Sequence, residues 1–69
     1  MSLRTAEQGV LRAELAVVRQ HDLIAKLRRR PVSSDLIEAA ERVLAVLQSN
    51  LKAHQDGLKI RRRIEAITR

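Results

Sequence analysis

None of the 69 residues is Phe, Tyr, Trp or Cys. Aromatic side chains bury about 150–250 Å² each and ordinarily dominate a core. Here Leu, Ile, Val and Ala must form it alone. Such side chains suit a narrow seam between helices better than a deep ligand pocket, whose lining is usually part aromatic. A chain this short buries only about 60% of the surface it exposes when unfolded. Small scaffolds are commonly held by disulfides, a metal or oligomerisation. With no cysteine, disulfides are excluded, and a metal site would depend on His21, His54 and carboxylates. Association with a second copy or another protein is the remaining source of stability. A single helical domain over residues 1–69 is expected.

Apolar residues recur at helical spacing on both sides of Pro31. The first helix is expected over residues 5–30, with Thr5 as N-cap and Gln8 completing a capping box. Its stripe comprises Ala6, Val10, Ala13, Val17 and Ile24, widened by Leu15, Leu23 and Leu27. Gly9 interrupts it at a cost of about 1 kcal/mol relative to alanine. Pro31 disfavours helical geometry at Arg30 and ends the helix. Ser33 then caps a second helix over 34–55, with Val32 and Ile37 positioned as a hydrophobic staple and Asp35 and Glu38 in the favourable first turn. The stripe of this helix is Leu36, Ala40, Val43, Leu44, Leu47 and Leu51, continuing through His54 to Leu58. Beyond Gly57, residues Ile60, Ile64 and Ile67 lie on a rotated face. That phase change suggests a break and a short basic helix over 58–68, against the alternative of one helix running through the glycine. A short connection makes the two long helices antiparallel neighbours. The expected fold is an all-α helical hairpin that assembles into a bundle. Its mouth would hold Val10 opposite His54, and Gly9 near Gly57.

The formal net charge of +6 is unevenly spread. Residues 1–30 carry seven basic and three acidic side chains, residues 31–57 two and four, and residues 58–69 five and one. Basic ends around an acidic middle favour the ends meeting an acidic surface, or the middle of another copy. Two triplets, Arg28-Arg29-Arg30 and Arg61-Arg62-Arg63, are the strongest local signal. The first also suits a helix C-terminus, where positive charge is favourable. The second stands among isoleucines and makes the last segment amphipathic and basic, suited to a phosphate backbone or an acidic protein groove.

No catalytic constellation is visible. The carboxylates are scattered, several of them a helical turn from a basic residue, as Glu38 is from Arg42. His21 and His54 fall on apolar stripes but do not face each other. Asn50, at a seam edge, is of the type that fixes register. There is no aromatic platform on which nucleic-acid bases could stack. No secretory leader or membrane-length apolar run is present, so a cytoplasmic protein is expected and membrane binding is not. The sequence reading is therefore a non-enzymatic, cofactor-free interaction protein: an adaptor, co-chaperone or regulator. It would bury Val10, Val17, Ile24, Val43, Leu47 and Leu51 in a homodimer or tetramer, or against another helical protein. The alternative is a basic dimeric regulator that touches nucleic-acid phosphates through Arg28, Arg29, Arg30, Arg61, Arg62 and Arg63.

Overall fold

The structure, a computed structural model, describes residues 2–68. Two helices fold back on one another: α1 (Leu3–Arg28) and α2 (Ser34–Thr68). The chain is a rod of 57 × 14 × 13 Å, with a radius of gyration of 16.1 Å. A globular chain of this length would have a radius near 11 Å.

Helix α1 begins two residues before the expected cap. Ser2, not Thr5, is the N-cap, and its hydroxyl accepts a hydrogen bond from the Thr5 amide at 3.2 Å. Serine is a better cap than threonine, and Thr5 serves instead as the hydroxyl partner of Ser2 at 2.9 Å. At the other end α1 stops two residues before residue 30. The amides of Arg29 and Arg30 bond back to the carbonyls of Lys26 and Leu27, three residues earlier. Such bonds tighten a last helical turn, and Pro31 then prevents its extension. Ser33 caps α2 as expected, its hydroxyl accepting from the Leu36 amide at 3.4 Å. Val32 and Ile37 are both half-buried beside it.

The expected break at Gly57 is absent, and the described residues form no third helix. α2 continues to Thr68, and no glycine among the described residues has a positive φ. One glycine costs a helix about 1 kcal/mol. Breaking there would also cost the contacts that Leu58 makes with α1. α2 therefore has 35 residues against 26 in α1, and its last turns project past the start of α1.

The interface is a pair of seams with the alternating three- and four-residue spacing of a coiled coil. On α1 these are Leu3, Ala6, Val10, Ala13, Val17, Gln20, Ile24 and Leu27. On α2 they are Ile37, Ala40, Leu44, Leu47, Leu51, His54, Leu58 and Arg61. All but His54 are buried or half-buried. Leu36 and Val43, expected on this stripe, point elsewhere, and each is 48% exposed. The register differs slightly from expectation. His54 lies over Gly9, where a Cβ would come within 3.0 Å of its ring, and Val10 packs with Ala6 and Leu58. Gly57 faces open space.

Two polar contacts lock this register. The Gln20 side-chain amide donates to the carbonyl of Ala40 at 2.8 Å, a contact the small alanine admits. Near the turn the Arg28 guanidinium meets the Glu41 carboxylate at 2.8 Å. The Asp22–Lys26 pair along α1 is exposed on both sides and contributes a few tenths of a kcal/mol.

Three substitutions test this packing. Gln20→Ala should destabilise the hairpin by about 1 kcal/mol through loss of a part-buried hydrogen bond. Gly57→Ala should stabilise it by about 1 kcal/mol, raising the melting temperature by roughly 4–8 °C. Gly9→Ala should gain less, because His54 must give way. Urea and thermal melts followed by circular dichroism check all three.

Candidate interaction surface

The side of α2 not used against α1 carries a second seam. Leu36, Ala39, Val43, Val46, Asn50, Ala53, Gly57, Ile60, Ile64 and Ile67 repeat with the same three–four alternation along the whole helix. Most of these positions precede a residue of the first seam by one, so the two stripes stand about 100° apart. Every one of them is exposed, with Val46 at 68% and Ile67 at 75%. The rotated isoleucines after Gly57 are thus the continuation of a stripe that starts at Leu36. An α-helix with two apolar stripes at this angle is built to touch two neighbouring helices. Within the chain it touches one.

Where the open seam passes the start of α1, the surface is slightly concave. A depression of about 350 Å³ is lined by Ala53, Gly57, Ile60 and Ile64 on the open seam, with Ala6, His54, Leu58 and Arg61 behind. A second depression joins Asn50 and His54 to Gly9, Arg12, Ala13 and Ala16 of α1. Both are shallow and face outward. α1 has a smaller exposed patch of Leu11, Leu15 and Val18.

Of the residues expected at an interface, Val10 and Ile24 are buried in the hairpin, while Val17, Leu47 and Leu51 are half-buried there. Val43 lies on the open seam. Of the rest, Leu36 is expected on the α2 stripe and Ile60, Ile64 and Ile67 on a rotated face of their own, while Ala39, Val46 and Ala53 stand out only once the helix is continuous through Gly57 and the fragments join into one stripe. The seven-residue spacing from Val46 through Ala53 to Ile60 and Ile67 is the signal that joins them.

The arginine triplets sit at opposite ends of the rod, about 40 Å apart at the rise of an α-helix. Within α2, consecutive residues point about 100° apart, so Arg61, Arg62 and Arg63 fan out. Arg61 is half-buried in the first seam, and Arg62 borders a groove with Glu7, Val10, Leu11 and Leu58. Arg28 is engaged with Glu41. Among the described residues no carboxylate pairs with Lys59, Arg61, Arg62 or Arg63.

His21 and His54 are both exposed. Among the described residues no three metal-ligating side chains cluster, and no polar or charged residue is buried. No helix among them is long and apolar enough to cross a membrane. The chemistry available is that of an apolar strip with charged margins. Comparison with family models, with curated proteins and with solved structures finds no match to this chain.

Proposed function

We propose that this protein is a non-enzymatic helical interaction module of the cytoplasm. Its α1–α2 pair is the scaffold, and its working surface is the open seam of α2. One observation carries this reading: a stripe along all of α2, aliphatic except at Asn50 and Gly57, at coiled-coil spacing and with every position exposed. Large apolar patches on soluble proteins mark contact sites. Among the described residues the hairpin buries six, three of them alanine, so covering this stripe would add greatly to its stability.

Photo-crosslinking in living cells tests the proposal. A benzophenone side chain at Ala53 lies on the open seam, and one at Gln48 lies on the opposite side of α2. The expected result is an adduct from position 53, none from 48, and loss of the first when Val46→Asp is added, because that change buries an unpaired charge in the contact. Equal labelling at the two positions, or none, overturns the proposal. Circular dichroism should show the helicity of the Val46→Asp protein unchanged, since Val46 has no role inside the hairpin.

A second reading, contact with nucleic-acid phosphates, is favoured by the cluster of Lys59, Arg61, Arg62 and Arg63 with no carboxylate partners. Backbone-directed binding of this kind weakens steeply with salt. An Arg61/Arg62/Arg63→Ala triple variant should then lose electrophoretic shifts seen at low salt. Shifts that survive the triple change remove these residues from consideration.

A further inference from the structure

We infer that the open seam of α2, from Leu36 to Ile60, is covered by the same stretch of a second copy running antiparallel, so that two hairpins close into a four-helix bundle. This names the partner of the surface proposed above and rests on that reading.

The argument starts from the margin of the seam. On the side away from α1 stand Asp35, Arg42, Ser49, Asp56 and Arg63, seven residues apart. All are exposed, and none of the charged ones is in an ion pair within the described chain. When Leu36 is set opposite Ile60 of an antiparallel copy, this row meets itself reversed. Asp35 falls beside the copy's Arg63, Arg42 beside its Asp56, and Ser49 beside Ser49 at the twofold axis. Every charged contact is then attractive, and such marginal pairs set orientation and register in coiled coils. Sliding one copy by seven residues in one direction brings Arg42 against Arg63. Sliding it in the other brings Asp35 against Asp56. A parallel arrangement turns the row toward Ala40, Leu47, His54 and Arg61, which offer one charged counterpart and already face α1. Of these alternatives, only the antiparallel register with Leu36 opposite Ile60 has no like-charge contact along the row and satisfies every charge in it.

Side-chain size agrees with this register. It sets Ala39 against Gly57, Val43 against Ala53 and Val46 against Asn50, with the larger Leu36–Ile60 layers outside them. The small side chains of the Val43–Ala53 and Ala39–Gly57 layers let helix axes approach to about 8 Å. The two Asn50 side chains fall in adjacent layers, about 6 Å apart along the axis. An amide-to-amide hydrogen bond there accounts for a polar residue in an otherwise aliphatic stripe. The same operation turns the side of α1 that carries Gly9, Arg12, Ala16, Arg19, Leu23 and Lys26 toward its counterpart. Three of these side chains are cationic, so the pairing rests on the α2 seam and not on contact between the two α1 helices.

Sedimentation equilibrium of the full chain tests the inference, with interference optics because there is no Trp or Tyr. A dimer is expected. Arg42→Asp places two carboxylates together twice per dimer and should weaken association about tenfold. Arg42→Asp with Asp56→Arg should restore it to within about threefold, at unchanged helicity. As an independent readout, chains carrying Val46→Cys and Asn50→Cys should form a mixed disulfide when combined and oxidised, and neither should link to itself. A protein that stays monomeric up to millimolar concentration overturns the second copy as partner, while an adduct from Ala53 would leave the interaction surface standing. Arg42→Asp that tightens the dimer, or leaves it unchanged, overturns the antiparallel register. Self-linking of either cysteine chain does the same.

Discussion

Two helices can meet along only one line, and that limit governs everything else in this molecule. A pair of rods has a single contact strip, and here half of the described residues buried in it are alanine. Ala6, Ala13 and Ala40 bring the helices close, and their closeness admits the Gln20–Ala40 hydrogen bond. Alanine buries little area, however, so close approach is obtained at the expense of hydrophobic stabilisation. A third or fourth helix is the usual remedy in all-α folds. The chain carries the apolar surface for such a neighbour but not the neighbour itself.

The charge distribution follows the same logic. Arg28 is drawn into the turn by Glu41, which fixes where the hairpin closes. The acidic first turns of α2 and its basic last turns lie at opposite ends of one helix, too distant to neutralise each other within the chain. An antiparallel neighbour of the same sequence would bring unlike ends together. The α2 helix carries acidic residues at its start, where they favour its dipole, while Arg61, Arg62 and Arg63 end before its final turn, which has no basic residue. The basic segment is therefore not explained by capping, and contact with something outside the hairpin gives it a role.

The hairpin was legible in the sequence because its determinants are local. Pro31 and Ser33 fix the turn, and the repeats through Val10, Val17 and Ile24, and through Leu44, Leu47 and Leu51, fix which sides meet. The cap at Ser2 was missed because Thr5 and Gln8 form a capping box on paper, while the actual cap depends on which hydroxyl reaches an amide. The continuity through Gly57 was missed for a different reason. A glycine after an aspartate is a common helix end, and only the tertiary hold of α1 on Leu58 and Arg61 carries the helix past it. Once the helix is continuous, Leu36 and Val43 separate from Leu44 and Leu47, and two stripes replace one. Propensity alone does not count stripes; the spacing over all of α2 does.

The projecting end of α2 has a thermodynamic meaning of its own. Toward Thr68 the helix outruns α1, and its last turn rests mainly on its own hydrogen bonds, among them those from the Thr68 hydroxyl to the carbonyls of Ile64 and Glu65. Short unsupported helical segments are marginal in water. Ile64 and Ile67 are therefore presented by a segment whose order is itself an equilibrium. Any contact that uses them must first complete the helix, and part of its free energy goes into that ordering. Affinity can then be tuned from a position outside the seam: a glycine at the exposed Ala66 would loosen binding.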